Sequence, residues 1–160
     1  MKKFIIYYLA PSLLCFALIA LDQAVKRWAV ASLKPVFEKP IVNGFVRFAY
    51  VENSGAAFGM LQGGRWFFVP LTVVMFAFFA VYYARLPKTR INWFVRVPMV
   101  LIAAGAAGNF VDRLRNGFVV DMFEFEFISF PVFNVADMCL VAGTFSVAAA
   151  FLFIVKERKK

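Results

Sequence analysis

Histidine does not occur in this 160-residue chain. Its absence excludes every Ser-His-Asp and Cys-His mechanism and every zinc site built on imidazole. Cysteine is nearly as scarce: Cys15 and Cys139 each lie alone in an apolar stretch. CxxC metal or redox chemistry is therefore excluded, and both read as small buried hydrophobes. Charge is thin as well, 17% against roughly 25% in soluble domains. Apolar residues take up the difference, at 63% with 22 Phe and a mean hydropathy of +0.78. A soluble domain of this length cannot hide so much apolar surface from water, and disorder needs the opposite composition. Lipid must be a large part of the solvent.

Four stretches without charge, 4–21, 66–84, 97–111 and 138–155, divide the chain. Crossing the hydrocarbon takes about 20 helical residues, which places spans at about 4–26, 66–84, 94–112 and 134–155. The third reaches that length if Arg96 snorkels to the interface. Pro70 and Pro98 are expected in first helical turns and Pro11 at a mild kink. The first run is too long for the apolar region of a cleaved signal peptide and reads as a retained span. The formal net charge of +9 could point to nucleic acid, but the basic residues border the apolar runs instead. Lys2, Lys3, Arg85, Lys88, Arg90, Arg96, Lys156, Arg158, Lys159 and Lys160 crowd the short segments on one side. The other eight are spread over much longer segments, so both termini are expected in the cytoplasm. The expectation is a single membrane-embedded domain over 1–160, an all-α integral membrane protein of four transmembrane helices. Its outer loops, about 27–65 and 113–133, carry a small extracytoplasmic β-ribbon or sheet, since 45–51 is β-rich and Phe123-Glu124-Phe125-Glu126-Phe127 alternates strictly.

The carboxylates carry the functional signal. Ionisable groups at membrane depth are costly, and Asp22, Asp112, Asp121 and Asp137 gather near the outer ends of the spans, with Glu52 less close. Asn109, Asp112 and Arg113 share a helix face, as do Asn134 and Asp137 at the start of span four. Asp22 and Lys26 stand one turn apart, and the plainest reading of that pair is a bridge on the helix surface. Asp137 could equally cap span four, and Asn53 could be a turn residue ahead of Gly55. Ala104 and Gly108 read as a close-packing face. Converging carboxylates without His suggest an aspartic-type hydrolase, one carboxyl protonated while the other activates water. No metal is expected, because hard cations want more oxygen ligands than this cluster offers. A small proton-coupled membrane transporter and a non-enzymatic assembly factor stay open as alternatives.

Five motifs occur in order: Leu21-Asp22-Gln23-Ala24-Val25-Lys26, Asn53-Ser54-Gly55-Ala56-Ala57-Phe58-Gly59, Gly108-Asn109-Phe110-Val111-Asp112-Arg113, Val119-Val120-Asp121 and Phe133-Asn134-Val135-Ala136-Asp137. With them the chain resembles the bacterial lipoprotein signal peptidases (signal peptidase II) over nearly its whole length. The resemblance implies an intramembrane aspartic endopeptidase of the bacterial cytoplasmic (inner) membrane. Such an enzyme removes the signal peptide from diacylglyceryl-modified prolipoproteins, cutting before the lipidated Cys. It also implies that Asp121 and Asp137 are the catalytic dyad, with the active site at the outer face. Asn53, Gly55, Asn109, Asp112, Arg113, Asn134, Asp22 and Lys26 become substrate-binding or site-supporting residues. Membrane lipids and the lipid-modified precursor are the expected partners, with no cofactor, no nucleic acid and a monomeric state. Met138 stands where family members often carry Ser.

Overall fold

The computed structural model describes residues 1–56, 60–89 and 92–158. Ala57, Phe58 and Gly59 of the second motif, and Arg90, Lys159 and Lys160 of the basic count, lie outside the described residues. Among the described residues four helices are long and apolar enough to cross a membrane: α1 Lys2–Ser32, α2 Arg65–Arg85, α3 Trp93–Asn116 and α4 Val135–Arg158. Three strands, β1 Glu38–Val42, β2 Val46–Asn53 and β3 Val119–Phe125, form one antiparallel sheet in the order β1-β2-β3. The architecture expected from the apolar runs and the Phe/Glu alternation is therefore present. The sheet has one strand more than the pattern showed, because β1 carries Pro40 and pairs on one side only. Pro is tolerated on such an edge, where its missing N–H breaks no ladder. The alternation beyond Phe125 leaves the strand, but Glu126 still donates its N–H to the Phe45 carbonyl.

α3 is the central helix. Most of its apolar window is buried, whereas α2 carries no fully buried residue. The contact of α3 with α4 is the most extensive between helices, and it depends on small residues. A Cβ on Gly105 would lie 2.3 Å from the Ala136 carbonyl, and one on Gly143 would lie 2.8 Å from the Pro98 carbonyl. Ala104 is buried on this helix as expected, but the closest backbone approach uses Gly105, while Gly108 accommodates the side chains of Asp22 and Ala136.

Two local expectations change, for the prolines of α2 and α3 and for Arg96, while the helix irregularity expected at Pro11 is a wide turn just before it. The helices begin at Arg65 and Trp93, so Pro70 and Pro98 sit inside them, in the second turn, and each removes one helical hydrogen bond. Near Pro11 the helix has a wide turn over Ile5–Leu9, and the Tyr83 hydroxyl donates to the Tyr7 carbonyl at 2.9 Å. That carbonyl is the one Pro11 cannot serve. Arg96 does not snorkel. It is 0% exposed, donates to the Leu86 carbonyl at 2.6 Å and lies over the Tyr7 and Tyr83 rings. Aromatic faces and a carbonyl, rather than interfacial water, surround its charge.

Candidate active site

The site forms where the C-terminal part of α1, the end of α3, strand β3 and the start of α4 meet beneath the sheet. Its base is the Lys26 ammonium, 3% exposed. Lys26 Nζ reaches Asp22 Oδ2 at 3.0 Å, Asp112 Oδ2 at 3.1 Å and Asn109 Oδ1 at 2.9 Å. An ammonium has three N–H donors, and all three are used. The Asp22–Lys26 pair is therefore no surface bridge: it is buried, because α1 packs this face against α3. Gly108 makes room for it, since a Cβ there would stand 2.5 Å from Asp22 Oδ2.

Both carboxylates on Lys26 also hold backbone. Asp22 Oδ1 accepts the Ala136 N–H at 2.9 Å, and Asp112 Oδ2 accepts the Val120 N–H at 3.1 Å. The first is an orphan donor in the opening turn of α4, and the second positions β3 beside Asp121. Asp112 and Arg113, adjacent in sequence, thus serve different partners. Arg113 Nη2 donates to the Gly55 carbonyl at 2.9 Å, and its guanidinium lies over the Phe68 ring. Gln23, quoted in the first motif without a role, donates to Asp112 Oδ1 at 2.9 Å and joins the cluster. Its place beside Asp22 within a motif was the only signal that could have marked it.

Lys26 also orients the amides above it. It has no acceptor, so it requires Asn109 Oδ1 to face it, and Asn109 Nδ2 must then donate elsewhere. It donates to Asp137 Oδ1 at 2.8 Å. Asn109 Oδ1 accepts in addition from Asn134 Nδ2 at 3.1 Å, and the same Nδ2 donates to Asp121 Oδ1 at 2.6 Å. Asn134 Oδ1 is left to accept the Asp137 N–H at 2.9 Å, while Asp137 Oδ2 accepts the Asn134 N–H at 3.1 Å. This reciprocal pair across the first turn of α4 is a capping box. The capping role considered for Asp137 is thus real, and it coexists with a place in the cavity. Asn53 likewise has both readings: Oδ1 accepts the Gly55 N–H at 2.9 Å, and Nδ2 donates to Asp121 Oδ2 at 3.0 Å.

Each of the four oxygens of Asp121 and Asp137 thereby accepts one N–H. Asp121 is 2% exposed, whereas Asp137 is half-buried. Burial, then the charge of Asp137, pushes the Asp121 carboxyl up to about 7, against the opposing hydrogen bonds from Asn53 and Asn134 and the Lys26 charge. A cavity of about 420 Å³ opens on both carboxyls, with Asn53, Gly55, Asn109 and Arg113 in its wall. Phe125, Phe133, Met138, Leu140 and Val141 make much of the rest apolar. All ten residues singled out in the sequence meet in one connected network. Two carboxyls on one cavity, one of them holding its proton near neutrality, can activate a water and protonate a leaving group.

The signal peptidase (SPase) II family model matches residues 14–153. A lipoprotein signal peptidase of Clostridioides difficile (strain 630) is 43% identical over 141 residues, covering 88% of this chain and 93% of the relative. A lipoprotein signal peptidase of Streptococcus pyogenes serotype M5 (strain Manfredo) is 41% identical over 126 residues, covering 79% and 82%. A bacterial membrane enzyme solved by the in meso method at 2.3 Å resolution superposes with a TM-score of 0.84 at 27% identity, covering 96% of this chain and 93% of that one.

Proposed function

The chain belongs to the signal peptidase II family, and from that premise we propose that it is an aspartic endopeptidase which frees diacylglyceryl-modified prolipoproteins from their signal peptides. Cleavage falls before the lipidated Cys, at the outer face of a bacterial cytoplasmic membrane. Asp121 and Asp137 are the catalytic pair. The observation that carries this reading is their shared cavity, with every carboxylate oxygen held by an N–H and a carboxyl that keeps a proton up to about pH 7.

In the starting state the pair holds one proton. The ionised carboxyl removes a proton from water, and the water oxygen adds to the scissile carbonyl carbon. The protonated carboxyl donates to the carbonyl oxygen. Collapse of the tetrahedral adduct breaks the C–N bond: one of its hydroxyls returns a proton to the ionised carboxyl as C=O re-forms, the protonated carboxyl gives its proton to the leaving nitrogen, and the pair again holds one proton. Asn53, Asn109 and Asn134 keep the carboxylates in place, and Lys26 keeps the amides in place. A helical signal segment satisfies its own backbone, so it must unwind locally before water can attack. Lipid chains on the residue after the scissile bond hold that residue at the interface, at the level of the pair. A proton relay would string its carboxylates along the spans, whereas Asp22, Asp112, Asp121 and Asp137 gather at the sheet end.

The test is direct. Purified protein incubated with diacylglyceryl-modified precursor shortens it, and Asp121→Asn or Asp137→Asn abolishes the shortening while each variant still inserts at normal abundance. Substantial turnover by either variant would sink the dyad.

A further inference from the structure

Unwinding a helical segment frees main-chain N–H groups inside a largely apolar cavity, and each one left without an acceptor is costly. The acceptors beside the dyad are already engaged. Asn53 Oδ1 takes the Gly55 N–H, Asn109 Oδ1 takes Lys26 and Asn134, and Asn134 Oδ1 takes the Asp137 N–H. The Gly55 carbonyl accepts from Arg113, and the Phe123 carbonyl accepts from the Phe133 N–H. One carbonyl in the cavity wall differs.

Phe133 pairs with Phe123 in an isolated antiparallel bridge, its N–H donating at 2.9 Å and its carbonyl accepting at 2.8 Å. Among the described residues no peptide bond is cis, and across a planar trans peptide the C=O and the next N–H point opposite ways. The Val132 carbonyl therefore points away from β3, and so does the Asn134 N–H. The latter meets Asp137 Oδ2 at 3.1 Å, so this is the side on which the dyad lies. Among the described residues neither the N–H nor the carbonyl of Val132 has a hydrogen-bond partner. Val132 lines the cavity of the dyad and also a second one, about 330 Å³, that opens on Asp121 as well. Pro131 keeps this edge free, because it has no N–H to extend the bridge and it holds Phe130 extended.

We propose that Val132 is an open strand edge whose carbonyl accepts a main-chain N–H of the unwound precursor, from a residue within two of the scissile bond. The assignment rests on the peptidase reading above. The distance follows from the strand: Val132 stands two residues, about 7 Å, from the N–H that holds Asp137. A contact of this kind reads no side chain, and it replaces a hydrogen bond that the precursor loses on unwinding.

The experiment uses the full chain in detergent with lipidated precursors in which an ester oxygen replaces one peptide N–H at a time. The positions are the two residues before the scissile bond and the residue after the lipidated Cys. One of the three esters should lower kcat/KM about fivefold, the loss of a hydrogen bond of about 1 kcal/mol. Phe133→phenyllactic acid turns the Val132 carbonyl into an ester carbonyl, a weaker acceptor, and should cut that penalty to about twofold or less. Val132→Ala keeps the main chain and should keep the full penalty. Ratios within one preparation cancel any loss of folded protein, and the wild-type scan needs no variant. Three esters cut as fast as the parent precursor overturn the strand edge alone. A penalty that Phe133→phenyllactic acid leaves intact, or that Val132→Ala erases, does the same. A wild type that cuts no precursor, the parent included, overturns the peptidase reading and the strand edge with it.

Discussion

Asn53 does two things with one amide: it closes the turn to Gly55 and it donates to Asp121. The donated bond favours the ionised carboxyl and so works against the burial that raises Asp121. Asn53→Ala removes that opposition, and the Asp121 proton is then held to higher pH. In the wild type, activity should fall as pH rises through about 7, because the pair loses its last proton. It should fall again at low pH, when the pair takes up a second proton and no carboxylate is left to activate water. The alkaline limb of Asn53→Ala should stand above that of the wild type in a kcat/KM profile; an unmoved or lowered limb contradicts the role given to the bond. Lys26 is a different case, since its charge is shared by two buried carboxylates. Lys26→Met leaves both without a counter-ion, and stranding a buried charge costs about 3–5 kcal/mol. The variant should show a markedly lower thermal midpoint in detergent as well as lost activity. A full-stability, inactive Lys26→Met would mean that the ammonium acts on the chemistry alone.

Among the elements, α3 and α4 bear the closest tolerances. Asn109, Asp112 and Arg113 come from α3 and Asn134 and Asp137 from the start of α4, so the site inherits the spacing of these two helices. Gly143, less than two turns after Asp137, secures that spacing, since a Cβ there would meet the Pro98 carbonyl at 2.8 Å and Ile102 Cγ1 at 2.7 Å. The first of these is backbone and cannot swing away. Overpacking of this kind costs about 1–3 kcal/mol. Gly143→Ala should therefore lower the thermal midpoint by several degrees and reduce kcat, although it touches no residue of the network. A melting curve superimposable on the wild type would show that α3 and α4 separate more easily than their contact implies. The sheet is tied down differently. Arg47 bridges Glu38 on β1 and Glu124 on β3 at 3.0 Å and 2.7 Å, and Phe48, Phe123 and Phe133 pack together against its other parts.

For the molecule as a whole, we propose that the unequal basic residues set the direction of insertion. Lys39 on β1 and Asn116 at the end of α3 share the sheet end with the dyad, while Lys88 follows α2 at the opposite end. The proposed orientation puts the sheet end outside. In a background with Cys15 and Cys139 replaced by Ala, a membrane-impermeant thiol reagent added to intact cells should label Lys39→Cys and Asn116→Cys. Lys88→Cys should react only after the membrane is opened. The reverse pattern would turn the protein over and place Asp121 and Asp137 on the cytoplasmic side.

What the chain's one-dimensional pattern determines is whatever depends on neighbours in sequence. Apolar runs of bilayer length specify four helices, the Phe/Glu alternation specifies a strand, and i, i+3 and i, i+4 spacings put Asn109 with Asp112 and Asn134 with Asp137. The five motifs named the ten site residues because each is a short local signature. Contacts between segments were illegible by the same logic. Nothing near Asp22 in sequence says that its other oxygen reaches Ala136, or that its ion pair with Lys26 is buried rather than on the surface. Arg96 looked like a residue bound for the interface because the Tyr7 and Tyr83 rings that enclose it come from two other helices. The edge strand β1 was hidden by its Pro40, whose tolerance depends on which side of the strand is paired. Burial and pairing are properties of the packed bundle: the tertiary structure alone decides which polar group finds its partner away from water, and in a membrane an unpartnered one is too costly to keep.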